Sequence, residues 1–92
     1  MCIFLCAEDM IRGVPSNLPQ VFGRVLRTHR ERKGLNQMNL AADAGLHLNA
    51  IGNLERGISN PNLQTLFLIS KALGVPAAEL VADVERRKPR VE

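Results

Sequence analysis

Two short apolar helical periods separated by a single glycine, between Gln37 and Glu55, leave this chain few ways to fold. Gln37, Leu40, Ala41 and Ala44 recur at helical spacing, Gly45 stops the run where a left-handed residue is wanted, and Ile51 with Leu54 restart the period. Two helices this short must cross closely, and a close crossing needs small side chains at the contact; Ala41, Ala44 and Ala50 supply them. Gly45-Leu46-His47 makes the turn, with Leu46 directed inward. His47 falls at the N-cap of the second helix, a place better served by Ser, Thr, Asp or Asn, so that helix is expected to start weakly. The period commits Ile51 and Leu54 to the core and leaves Leu48, Asn49, Gly52 and Asn53 on the outer face.

The flanking segments read as three more helices. Phe22, Val25, Leu26 and His29 form one apolar face, which predicts a first helix over Gln20–Lys33 ended by Gly34. His29 reads as a half-buried structural histidine. Gly13, Pro15 and Pro19 break any helical period upstream, so residues 1–19 are expected to form a flexible tail, residues 20–85 the domain and residues 86–92 a basic tail. Asn36 is placed to cap Gln37–Ala44, and Asn62 to cap a helix over Leu63–Leu73 stopped by Gly74. That fourth helix is apolar almost all round and is expected to be the centre of the bundle, with Leu68 left at a surface. Pro76 opens a fifth helix that continues through Leu80, Val81 and Val84.

With 92 residues, no Trp or Tyr and 3 Phe, the core must be aliphatic, and a sheet that stacks bases on aromatic rings is excluded. The net charge of +3 is unevenly placed: Val21–Asn62 carries +3, Leu63–Glu85 carries −2 and Arg86–Glu92 carries +3. Positive charge therefore accompanies the paired short helices and the end of the chain, as expected of a surface that meets phosphate. Cys2 and Cys6 lie outside the predicted domain and read as reduced thiols. Neither His29 nor His47 has a second ligand at suitable spacing, so no metal site and no cofactor are expected. The apolar leader Met1–Met10 is too short to span a membrane and lacks a basic start; the chain is read as cytoplasmic.

Over about two thirds of its length, from Phe22 to Val81, the chain resembles the Cro and lambda-repressor-like helix-turn-helix regulators, often called XRE-type. The resemblance rests on Arg30, Gly34-Leu35, Gln37, Leu40-Ala41, Gly45, Ile51, Glu55-Arg56-Gly57, Pro61, Leu66 and Lys71-Ala72-Leu73-Gly74-Val75, an ordered set of which no single member is specific. It implies an all-α, compact five-helix lambda-repressor-like DNA-binding domain with a helix-turn-helix. It further implies an ion pair between Arg30 and Glu55, a phosphate contact at Gln37 beside the Asn36 cap, and base contacts from Leu48, Asn49 and Asn53. Capping physics agrees with the phosphate role, because the amino end of a helix favours an anion. The loop Arg56-Gly57-Ile58-Ser59-Asn60-Pro61-Asn62 suits a second phosphate contact, with Arg56, Ser59 and Asn60 as candidates. Asparagine fits adenine and leucine packs on a thymine methyl, so A·T pairs are expected under the second helix.

Leu80, Val81 and Val84, with Leu68, make a stripe larger than one terminal helix needs. A two-fold homodimer on a palindromic operator would bury it; alternatively the stripe closes the fold's own core. Gly52 departs from a good helix former, either letting the backbone approach its target closely or marking a helix that firms up only on DNA. The function expected is a sequence-specific double-stranded DNA-binding transcriptional regulator acting as a repressor. The alternative is a protein-interaction module or antitoxin-like partner built on the same bundle. An enzyme is not expected, since the sequence offers no nucleophile–base pair, phosphate loop or metal cluster at convincing spacing.

Overall fold

The computed structural model describes residues 17–87, and over them the chain forms five helices: α1 Leu18–Lys33, α2 Gln37–Ala44, α3 Leu48–Glu55, α4 Leu63–Leu73 and α5 Ala77–Arg86. The described residues contain no strand. Helix α1 packs across α3, α5 and α4, α2 packs against α3 and α4, and α4 packs against α5. All five helices contribute to one core, in which Val25, Leu26, Leu40, Ile51, Ile69 and Leu80 are completely buried. Each such aliphatic side chain contributes about 1.5–3 kcal/mol relative to an exposed position, so every helix is held by at least one buried anchor.

The local chemistry of the helix ends follows the sequence closely. Asn36 and Asn62 cap α2 and α4, accepting from the backbone N–H of Asn39 and Thr65, each at 2.7 Å. Gly45, at φ 71°, ends α2 in a Schellman turn, with Leu46 N–H donating to the Ala41 carbonyl at 2.9 Å. Helix α3 begins as expected without a side-chain cap, His47 offering none. Ala41 and Ala44 are buried where α2 meets its neighbours, and Leu46 packs against the core.

Two boundaries differ from expectation. Helix α1 starts at Leu18 because Pro19 sits in the first turn, where its missing N–H would lack a helical partner anyway; residues 18 and 19 thus belong to the domain, and Val21 joins the core. At the other end Arg86 is the last residue of α5 and pairs with Glu79 at 2.9 Å, so it is not part of a tail. Arg87 also turns back, donating to Thr28 Oγ1 at 3.1 Å. The thiols at Cys2 and Cys6 and the rest of both expected tails lie outside the described residues.

Helix α4 is less enclosed than its sequence implies. Leu63 is 71% and Phe67 57% exposed, whereas Leu68, expected at the surface, is only half-buried. Eleven residues crossing α1, α2 and α5 bury the Ile69, Ser70 and Leu73 side and leave the opposite side open. The stripe on α5 also needs correction as an interface. Leu80 is wholly buried and Val84 nearly so, because they close the chain's own core, and Val81 alone of the three is exposed.

Candidate nucleic-acid interface

Helix α3 is set by a cluster of close backbone contacts and one polar node. Gly23, in the middle of α1, lies against the end of α3: a Cβ there would stand 2.5 Å from the Glu55 carbonyl oxygen and 2.6 Å from that of Leu54. One turn on, Gly57 at φ 77° ends α3, and its Cβ position is 2.9 Å from Gln20 Cγ. The first turns of α1 therefore rest directly on the main chain of α3. The signal for Gly23 in the sequence is a glycine inside an apolar helix with no turn to make, and helical periodicity alone does not register it.

Beside this crossing Arg30 meets Glu55 through two hydrogen bonds, Nε to Oε2 at 2.5 Å and Nη2 to Oε1 at 3.1 Å, with the side chains only 11% and 5% exposed. The fork of the guanidinium matches the carboxylate, and the remaining donor Nη1 takes the Leu35 carbonyl at 2.8 Å. The hydrogen bond to Glu55 pushes the Arg30 pKa up, against burial. Gln37 joins the node, its Nε2 donating to Glu55 Oε1 at 3.0 Å. One carboxylate thus ties the end of α3 to α1 and to the first residue of α2. Gln37, which the resemblance puts at a phosphate, has its amide nitrogen committed inward.

Outward from the node, Leu48 and Asn49 are exposed and Asn53 is half-buried on the free face of α3. Gly52 is not on that surface. It is buried beneath two neighbours, for its Cβ position lies 3.5 Å from Arg56 Nη1 and 3.7 Å from Gln37 Oε1. Arg56 is turned back over the helix, and its Nη2 donates to Asn53 Oδ1 at 2.6 Å. Ser59 and Asn60 follow in the loop before α4, half-buried and exposed respectively. The face thus runs from the capped amino end of α2, across Leu48, Asn49 and Asn53, to that loop.

On the far side of α1, His29 Nε2 lies 2.9 Å from Asp83 Oδ2 of α5. His29 is more deeply buried than the half-buried position expected of it, and its partner is 54 residues away with nothing in the sequence to announce it. The Asp83 carboxyl is held below its ordinary range: burial pushes it up, and the hydrogen bond with His29 and the charges of Arg87 and Arg86 outweigh that. Among the described residues no group of three His, Cys, Asp or Glu side chains gathers to hold a metal ion. No single described helix is long and apolar enough to cross a membrane.

Comparison with known proteins agrees with this geometry. Residues 26–80 match the helix-turn-helix family model, a span that takes in α2, α3, α4 and the Arg30–Glu55 node. The chain belongs to the XRE-type helix-turn-helix family. Within it, this chain is 39% identical over 77 residues to the HTH-type transcriptional regulator y4dJ of Sinorhizobium fredii, covering 84% of this chain and 90% of the relative. It is 37% identical over 65 residues to the cryptic phage CTXphi transcriptional repressor RstR of Vibrio cholerae, covering 71% of this chain and 59% of that repressor. The restriction-modification controller protein C.AhdI of Aeromonas hydrophila superimposes with a TM-score of 0.66 at 37% identity, covering 67% of this chain and 94% of the controller.

Proposed function

We propose that this protein is a sequence-specific double-stranded DNA-binding transcriptional regulator, acting as a repressor in the cytoplasm. The observation that carries the reading is the division of labour on α3. Ile51 and Leu54 are buried and fix the helix, while Leu48 and Asn49 stand free on its outer side with no structural duty. Such a face fits a major groove, about 12 Å wide, which admits one helix and offers hydrogen-bonding base edges. Leu48, Asn49 and Asn53 read bases. The capped amino end of α2 at Asn36 and Gln37 lies over one phosphate, and Ser59 and Asn60, with the charge of Arg56, meet another. Relatives that are transcriptional regulators and a controller protein support the same reading.

The protein binds a palindromic operator as a homodimer. Leu63, Phe67 and Val81 are exposed, and Val81 lines a groove of about 270 Å³ with Leu18, Phe22, Asn60, Pro61, Leu66 and Val84. A second copy packed here by a two-fold axis covers these apolar groups and places two α3 helices roughly 34 Å apart, one turn of DNA.

Selection of bound sites from random duplexes, followed by titration at two salt concentrations, tests the reading. A palindromic consensus and an affinity that falls steeply with salt are expected, because phosphate contacts release counterions. Binding that ignores salt, or no binding at low ionic strength, rejects it in favour of a protein-interaction module. Phe67→Asp together with Val81→Asp should convert a dimer to a monomer in sedimentation, and an unchanged mass would move the interface elsewhere.

A further inference from the structure

The outer side of α3 carries two asparagines, and they stand in different chemical states. Asn49 is exposed, and its side chain makes no hydrogen bond among the described residues. Asn53 is half-buried, with Oδ1 accepting from Arg56 Nη2 at 2.6 Å. The orientation of that amide is dictated by chemistry, since a guanidinium only donates and an oxygen must therefore meet it; the Nδ2 end is left for whatever approaches. The guanidinium lies in the space where a side chain on residue 52 would project, 3.5 Å from that Cβ position at Nη1 and 3.9 Å at Cζ. A methyl group fits against it, and a longer side chain takes its place.

An asparagine with both ends free pairs with adenine through N6 and N7 together. Held by the guanidinium, the amide keeps its oxygen turned toward Arg56 and leads with Nδ2, and adenine's N6 amino group then meets a donor rather than an acceptor. Guanine presents O6 and N7, two acceptors side by side, and suits such a group. We propose that Arg56 is a positioning residue for sequence readout: by holding the oxygen of Asn53 it sets a preference for guanine over adenine at the base pair this asparagine meets, while Asn49 keeps the adenine-type pairing. The inference rests on the DNA-binding reading above. It also gives Gly52 a reason to be glycine, as the seat of the Arg56 guanidinium.

The test uses the full chain as wild type, Asn53→Ala, Arg56→Met and Gly52→Gln. Sites are selected from random duplexes, the base pair whose preference vanishes in Asn53→Ala is identified, and duplexes differing only there are titrated. The wild type should favour guanine over adenine at that pair by about tenfold. Arg56→Met should erase or reverse the preference, and Gly52→Gln should do the same while the charge of Arg56 remains. Arg56 is exposed, so Arg56→Met keeps the fold whatever Gly52→Gln does. If Arg56 only touches phosphate, Arg56→Met weakens all duplexes alike, lowers the salt slope by about one and leaves the base preference as it was, and the proposal is overturned. A wild type that selects no site at any salt overturns the DNA-binding reading itself, which tells the two failures apart.

Discussion

His29 and Arg30 are neighbours on α1, yet they fasten the helix to opposite halves of the molecule by different chemistry. Arg30 reaches the end of α3 through a bidentate pair that also gathers Gln37 and the Leu35 carbonyl. His29 reaches α5 through a single contact with Asp83. The first link is bidentate, its side chains are almost fully buried, and it is sealed by the Gly23 crossing beside it. The second is one hydrogen bond to a carboxyl that burial pushes up and that His29, Arg87 and Arg86 together hold below its ordinary range. The half that holds α3 is fastened by several bonds at once, and the half that holds the exposed Val81 face by one bond to a carboxyl whose contribution depends on pH.

The strongest way to break this contrast is Glu55→Ala, which leaves Arg30 buried without its counter-charge and Gln37 without its acceptor. A loss on the order of 3 kcal/mol is expected in urea denaturation. A double-mutant cycle with Arg30→Ala should show strong coupling, and additive single mutants would mean that the pair stabilises nothing. Gly23→Ala attacks the same junction through the backbone: a methyl group cannot stand 2.5 Å from a carbonyl oxygen, so α1 and α3 must part. About 2 kcal/mol should be lost, in line with overpacked cores, and a variant as stable as wild type would show that the crossing relaxes freely.

On the other side of α1 the expected effects are smaller and depend on pH. The carboxyl of Asp83 is held below the ordinary 3.8 in the folded chain, so the unfolded chain binds its proton first as pH falls. Its contribution is whole above that ordinary value and is lost as pH drops through the folded one. Asp83→Asn should cost about 1 kcal/mol near neutrality and should flatten the decline of stability between neutral and strongly acidic solution. Parallel acid limbs for variant and wild type would remove Asp83 from the account. The smallest effect is expected at the Arg56 seat: Gly52→Ala should stabilise the free protein by roughly 0.5 kcal/mol. Thermal melting without DNA checks this, and a loss would mean that the Arg56 seat has no room for a methyl group.

How far the sequence discloses this molecule follows from the range of each signal. Helix positions, the Asn36 and Asn62 caps and the turn at Gly45 are local matters of period and backbone preference, and they stand where the residues put them. The Arg30–Glu55 pair spans 25 residues, and it was legible through family resemblance because no local rule connects its ends. His29–Asp83 had no such help. The sequence leaves open whether a second copy or the fold's own core covers Leu80 and Val84, because an apolar stripe shows only that something covers it, and within the chain α1 and α4 pack on that helix. Phe67 was misread, since an all-apolar helix is enclosed only where neighbours are wide enough to surround it. The pairing of Arg56 with Asn53 has the spacing of one helical turn and was open to inspection, but its use depends on side-chain directions that spacing alone does not give.

The crossing at Gly23 carries one further consequence. Because α1 rests on the main chain at the end of α3, the tilt of that helix is fixed by atoms common to every amino acid. Leu48 and Asn49 can then be exchanged for other side chains without altering how the helix is presented. On the proposed reading, in which those two positions meet bases, a new target preference can be written into them while the frame beneath keeps its shape, so this small bundle is a suitable chassis for retargeting.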